Sequence, residues 1–193
     1  MGAFEARART YEEGWKGRMH RDIAARTAEL AVGAGGHQTR VLDVGCGTGL
    51  VLRELAARLP HADALVGIDP APSMIEVARR TATDARLRFD TGVAEHLPFD
   101  DAAFDLVVSA TSFDHWKDQR AGLVECARVL APGGSLVLTD LISLSLLPTM
   151  LLGRGDRART RHRVRALLSD SGFSAQQWHR LYSLILASVV AAR

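Results

Sequence analysis

The sequence predicts a single α/β domain, doubly wound, with a mostly parallel sheet and helices on both faces. Three observations carry that expectation. The run Val41-Leu42-Asp43-Val44 is apolar and rich in β-branched residues, and it leads into glycines at 45, 47 and 49. The stretch from Leu50 to Leu59 then has helical spacing, so the turn opens a helix. A second apolar run, Ala64 to Ile68, ends in the acid Asp69. Strand, glycine turn, helix and strand make one βαβ unit with a ligand-binding mouth at its strand ends. From Arg40 onward such patterns alternate, which predicts the parallel sheet. A length of 193 residues, 47% hydrophobic and 24% charged, gives room for one domain with a full core.

The remaining elements follow in order. Residues 1–36 form an N-terminal helical segment, with the helix spanning Tyr11 to Val32. Ala71 to Arg79 reads as a helix with Ser73 as its N-cap and Glu76 completing a capping box. Arg86 to Thr91 is the third strand and Phe104 to Ser109 the fourth. Asp118 to Leu130 is a helix, and Pro132-Gly133-Gly134 turns into a fifth strand, Ser135 to Thr139. Arg161 to Ser171 is a helix stopped by Gly172. Ser174 to Tyr182 and Leu184 to Ala191 close the chain as two strands, and no internal repeat is present.

The glycine turn has chemical content. Glycine suits unusual φ and close approach to a ligand. An acid ending the second strand can accept hydrogen bonds from ribose hydroxyls. In a dinucleotide turn, G-x-G-x-x-G/A, the sixth position is small so that the helix end meets a pyrophosphate. Here that position is Leu50, and Asp43 lies two residues before the first glycine. A carboxylate there repels a pyrophosphate and suits a cation. The pattern points to a nucleoside-containing cofactor that carries positive charge.

These residues resemble motif I of the class I S-adenosylmethionine-dependent methyltransferases. Later stretches fit the same family in order: Gly92-Val93-Ala94-Glu95-His96-Leu97-Pro98-Phe99, then Phe104-Asp105-Leu106-Val107, then Leu130-Ala131-Pro132-Gly133-Gly134. The match runs from about Arg40 to Asp140, roughly half the chain. The resemblance implies a Rossmann-like, seven-stranded sheet with an antiparallel C-terminal strand, and S-adenosyl-L-methionine as cofactor. It implies that Asp43 faces the methionine ammonium and Asp69 the ribose, around Gly45, Cys46, Gly47 and Gly49. Pro70 and Met74 would pack on adenine, Met74 as a core residue being the alternative. Where the family commonly has an aspartate that accepts from the adenine amino group, this chain has Val93. That leaves the backbone around Val93 and Ala94, and Glu95, to hold the base. The fourth strand, ending at Ser109, would meet the transferred methyl.

The loop Ser109-Ala110-Thr111-Ser112-Phe113-Asp114-His115-Trp116 follows that strand. His115 is the candidate catalytic base and Asp114 the second candidate; a purely hydrogen-bonding role for His115 is the alternative. Tyr11, Trp15, His115 and Trp116 are the candidate substrate-binding residues. Two segments are candidate lids, residues 1–36 and the insertion 141–159. Leu141 to Leu152 is apolar, which favours a small hydrophobic or aromatic acceptor. The Asn-Pro-Pro-Tyr motif of many amino-group methylases is absent, so oxygen or carbon is favoured over nitrogen. Two other readings stay open: a non-catalytic S-adenosylmethionine-binding regulator or scaffold, which Val93 favours, and an NAD(P)-dependent oxidoreductase, which Leu50 and Asp43 disfavour.

Composition narrows the partners. A net charge of +2 argues against bulk electrostatic binding of nucleic acid, and a small-molecule acceptor is expected. Arginine outnumbers lysine 22 to two, which reads as composition bias. Six arginines fall between Arg154 and Arg165; a solvated surface and an anion or membrane-surface site are the two readings. Cys46 and Cys126 have neither disulfide-framework nor metal spacing, so no metal and a reducing cytoplasm are expected. The uncharged apolar run Leu141–Leu152 is too short for a transmembrane span. Acceptor identity and oligomeric state leave no mark in the sequence.

Overall fold

The computed structural model describes residues 11–34, 36, 38–142, 160–182 and 186–193. Most of the candidate lid 141–159, and its arginines up to Arg159, lie outside the described residues. The elements are α1 (Gly14–Gly33), β1 (Arg40–Val44), α2 (Leu50–Arg58), β2 (Ala64–Asp69), α3 (Pro72–Thr81), β3 (Leu87–Thr91), β4 (Phe104–Ala110), a 3-10 turn (Phe113–His115), α4 (Gln119–Val129), β5 (Leu130–Leu141), α5 (Arg161–Asp170), β6 (Ala175–Tyr182) and β7 (Leu186–Ala192).

The strands form one seven-stranded sheet in the order β3-β2-β1-β4-β5-β7-β6. The pairs from β3 to β5 are parallel, while β7 is antiparallel to both β5 and β6. Only β7 therefore runs against the others. The order reverses between β1 and β4, so the connections leaving those strands diverge and open a crevice at their carboxyl ends. A crevice of this kind is where open α/β sheets bind ligands.

Central strands are buried on both faces, so they read as continuous apolar runs. Val41, Leu42 and Val44 of β1 are sealed, as are Leu106, Val107 and Val108 of β4. One core layer packs α4 and α5 on the sheet through Leu123, Cys126, Val164 and Leu168. The other packs α1, α2 and α3 through Ala24, Ala28, Leu52, Leu55, Ile75 and Ala78. The buried residues of α1, Ile23, Ala24, Thr27, Ala28 and Ala31, recur at helical spacing. Thr27 Oγ1 donates to Thr139 Oγ1 of β5 at 3.0 Å, a buried polar contact that fixes α1 across the sheet.

Two local expectations change. The α3 capping box does not form: Ala71 is the N-cap, Pro72 opens the helix, and the Ser73 hydroxyl is buried without a partner. Proline's fixed φ starts the helix ahead of Ser73, which moves that side chain past the capping position. β5 begins earlier than Ser135, because Leu130 already pairs with Phe104 before a register shift. It also runs on to Leu141, which pairs with Leu186 of β7. Gly172 does end α5: it takes φ +94°, and the Phe173 N–H reaches back to the Leu168 carbonyl at 3.0 Å.

Candidate active site

The glycine turn bends directly off β1 and is tied to β2. The N–H groups of Gly45 and Cys46 both donate to the Ile68 carbonyl, at 2.8 and 2.9 Å. Gly45 has φ +76°, and a Cβ there would meet Ser112 Oγ at 2.3 Å. Gly49 has φ +82°, and its Cβ would lie 2.7 Å from the Phe89 ring. Both positions need glycine twice over, for conformation and for space.

Asp69 closes the turn from the other side. Its Oδ2 accepts from Gly47 N–H and its Oδ1 from Ala71 N–H, each at 2.9 Å. Two amides hold the carboxylate in one orientation at the mouth of the cavity.

Asp43 is different in kind. It is 1% exposed, and neither carboxylate oxygen has a hydrogen-bond partner. Burial, then the charge of Asp69, pushes its pKa up to about 8. A buried acid with no donor is costly, and a cation placed beside it removes the cost. The Cys46 thiol is held well above its ordinary pKa by burial and by these acids, so it is inert packing in the turn.

These groups share a cavity of about 320 Å³ at the strand ends. Its lining includes Asp43, Gly45, Cys46, Gly47, Asp69, Pro70 and Met74, followed by Val93, Ala94 and Glu95. Met74 is 2% exposed, so it is both core and wall. Val93 is 39% exposed and presents an apolar surface where the family's acid would stand. Glu95 Oε1 accepts from the N–H groups of Lys117 and Asp118, at 2.6 and 3.0 Å. It pins the loop after β3 to the start of α4. Gly49 and Ser109 do not line the cavity. Ser109 lies 2.8 Å from Ser112 Oγ, which in turn donates to the Val44 carbonyl at 2.9 Å.

The cavity is also lined by Tyr11, His20, Ile23, Ala24, Thr111, Ser112, His115 and Trp116. Thr111 takes φ +53°, a left-handed conformation for a β-branched residue, at the very end of β4. His115 is half exposed at the end of the 3-10 turn, with Nε2 3.3 Å from Asp114 Oδ1. Trp116 reaches the cavity but is mostly core: it is 6% exposed and meets Phe113 edge-on with centroids 5.1 Å apart. Trp15 is not brought to the site. It is 63% exposed on the outer face of α1, about two and a half turns from Ala24, with Lys16 Nζ 5.6 Å above its ring.

Tyr11 enters the cavity on the strap that precedes α1. Burial raises its pKa, against a hydrogen bond to Thr111 that lowers it. The strap is anchored by a residue the sequence did not single out. Glu12 Oε1 accepts from Thr48 Oγ1 at 2.7 Å and from Arg53 Nη2 at 2.8 Å. Arg53 also donates to the Thr48 carbonyl at 2.6 Å and to Thr81 Oγ1 at 2.9 Å. An acid beside a helix start and a threonine inside the glycine turn carry no pattern that links them.

The chain is also similar to known proteins. The profile of a family described as "Methyltransferase domain" matches residues 42–138. A demethylmenaquinone methyltransferase of Deinococcus radiodurans is 43% identical over 121 residues, 62% of this chain and 50% of the relative. One from Thermus thermophilus is 45% identical over 104 residues, 52% of this chain and 46% of the relative. The chain thus spans about half the length of the curated relatives it matches. Among solved structures, the complex of the Haloferax volcanii Trm112 methyltransferase activator with a putative methyltransferase matches with a TM-score of 0.80 and 20% identity. That match covers 98% of this chain and 96% of the other, and it shows the shared fold. A profile that covers half the chain, across the same strands and turns that build the cavity, places this protein in the class I S-adenosylmethionine-dependent methyltransferase family.

Proposed function

We propose that this chain methylates a small hydrophobic or aromatic acceptor, at oxygen or carbon in preference to nitrogen, with S-adenosylmethionine as donor. The observation that carries the reading is Asp43, a sealed carboxylate with both oxygens unpartnered at the floor of the glycine-turn cavity. It fits an ammonium group and does not fit a pyrophosphate. The donor supplies an electrophilic sulfonium methyl. The chain's own task is to position and to exclude water.

In this reading Asp43 takes the cofactor's ammonium and Asp69 its ribose hydroxyls. Pro70, Met74, Val93 and Ala94 form an apolar slot for the base, and Glu95 fixes that slot's loop. The Tyr11 strap covers the cofactor, and Glu12, Thr48 and Arg53 hold the strap down. His115, backed by Asp114, stands at the exposed end of the cavity and orients the acceptor. The apolar residues Ile23, Ala24 and Met74 suit a hydrophobic acceptor, and demethylmenaquinone, named for the relatives, is an aromatic one of that kind. Domain extent follows the sheet, with residues 1–36 and 141–159 as the lid segments of one methyltransferase domain.

Titration calorimetry with S-adenosylhomocysteine tests the reading. Binding is expected, with no heat from NAD, and Asp69→Ala weakens it by about 1–3 kcal/mol through lost charge-assisted bonds. Binding of NAD alone overturns it.

A further inference from the structure

The slot assigned to the base is built on a loop with little structure of its own. Residues 92–103 join β3 to β4, and Val93, Ala94 and Glu95 among them line the cavity. Among the described residues, the backbone of 93–101 makes two hydrogen bonds within itself. His96 N–H donates to the Val93 carbonyl at 3.3 Å, and Phe99 N–H to the Leu97 carbonyl at 2.8 Å. The course of the loop is therefore set from outside, and the element that sets it is α4.

The loop lies lengthwise along α4. Glu95 takes the N–H groups of Lys117 and Asp118, which lead into the helix. One turn on, Gly122 lets the helix press against the slot: a Cβ there would lie 2.4 Å from the Trp116 ring and 3.2 Å from the Ala94 Cβ. A further turn on, Glu125 Oε2 accepts from Leu97 N–H at 2.8 Å. Arg128 completes the row. Its Nη1 donates to the Phe99 carbonyl at 2.7 Å and to Asp101 Oδ1 at 2.8 Å. Its Nη2 donates to the Leu97 carbonyl at 3.0 Å and to Glu125 Oε2 at 2.9 Å, and its Nε to Glu125 Oε1 at 2.7 Å. Every N–H of the guanidinium is thereby engaged. Its planar fork holds two loop carbonyls and a carboxylate at once, which a lysine cannot do. Hydrogen bonds from Arg128 hold the Glu125 carboxyl below its ordinary pKa, so Glu125 acts as an acceptor only.

Resting on the methyltransferase reading above, we propose that Arg128, with Glu125, is a positioning residue for the base of the cofactor. The pair touches no ligand. It keeps residues 93–99 in their binding form before the cofactor arrives, so binding need not select that form from a looser set. If loss of the clasp reduces the competent population to about a tenth, the apparent Kd rises about tenfold. The effect is confined to the base, because Asp43, Asp69 and the glycine turn are held by β1, β2 and their own amides. The Leu97 side chain is buried in the core, so breaking the clasp frees the backbone on either side of it without detaching the loop.

Two variants and three probes test this. Arg128→Lys keeps the charge and loses the fork. Glu125→Gln keeps an acceptor for Leu97 N–H, loses the charge, and serves if the first variant does not fold. The probes are S-adenosylhomocysteine, adenosine, and S-ribosylhomocysteine, which has the amino acid and the ribose but no base. In Arg128→Lys, S-adenosylhomocysteine and adenosine are each expected to bind about tenfold more weakly, and S-ribosylhomocysteine within about twofold of the unaltered protein. In Glu125→Gln the same split is expected at about threefold. A second readout needs no comparison of affinities: in ligand-free Arg128→Lys, amide hydrogen exchange is expected to quicken across 93–99 while β1 and β2 stay protected, and saturating S-adenosylhomocysteine is expected to restore protection. Equal losses on all three probes would assign the pair to general stability, and unchanged S-adenosylhomocysteine affinity or unchanged exchange would remove the role; each overturns the inference while the methyltransferase reading stands. Failure of the unaltered protein to bind S-adenosylhomocysteine overturns both.

Discussion

At the scale of single residues, the site is organised around one acid that the fold leaves unsatisfied. With a pKa near 8, Asp43 keeps in the folded ligand-free chain a proton that the unfolded chain has lost. The stability tied to it therefore falls as pH rises from about 4 to about 8, and levels off above that. Asp43→Asn is expected to raise the ligand-free Tm by on the order of 5 °C at pH 8 and by less at pH 5, while it abolishes measurable S-adenosylhomocysteine binding. Calorimetric scans at the two pH values check this; equal Tm at both would show that the acid carries no such cost. Val93 invites the opposite change. Val93→Asp, in an exposed part of the wall, is expected to tighten cofactor binding by about 1 kcal/mol if it recovers an adenine contact. Asp43, Asp69 and the glycines were legible because turn geometry and strand ends leave a spacing in the sequence. Thr48 and Glu12 were not, since their partners lie on other elements and only folding brings them together.

At the scale of elements, α1 carries most of what the glycine turn does not. Its strap is held to the turn by one carboxylate, at 28% side-chain exposure, against an arginine at 24%. Glu12→Ala is expected to leave the fold intact and weaken S-adenosylhomocysteine binding roughly 10-fold, mainly through faster release, because a strap cut from Thr48 and Arg53 opens more often. Stopped-flow displacement measures that rate. The 3-10 turn carries His115, and His115→Ala is expected to raise the acceptor KM several-fold at unchanged cofactor affinity. A fall in kcat at constant KM would instead give His115 the proton-accepting role. Strand and helix identities were legible because the central runs are apolar and the helices amphipathic. The α3 cap was misread because a serine three residues before a glutamate is a local pattern, and Pro72 sets the helix start first. Trp15 was misread as a pocket residue because composition does not tell which face of a helix a side chain takes.

At the scale of the whole molecule, the binding crevice follows from connectivity. β1 and β4 are neighbours whose outgoing helices lie on opposite sides, and apart from the Tyr11 strap the groups that meet the cofactor in the proposed reading follow the carboxyl ends of β1, β2 and β3. The alternation of elements made this legible in advance. The position of β7 between β5 and β6 was legible only through family resemblance, because a hydrophobic strand's pattern does not state its direction. Since ligand binds only the assembled crevice, S-adenosylhomocysteine at about 100 times its Kd is expected to stabilise the chain by about 2.7 kcal/mol. That corresponds to a Tm increase of about 5–10 °C, read by thermal shift, with none from NAD.

The bare carboxylate of β1 also ties the lifetime of this protein to its ligand. Proteases cut a folded chain through its transiently open forms, and the open population grows as the folded state loses stability. Without a counter-cation the chain pays for Asp43 continuously. With one it does not. Resistance to limited proteolysis is therefore a gauge of occupancy, and within a cell the abundance of the chain would rise and fall with the supply of its methyl donor.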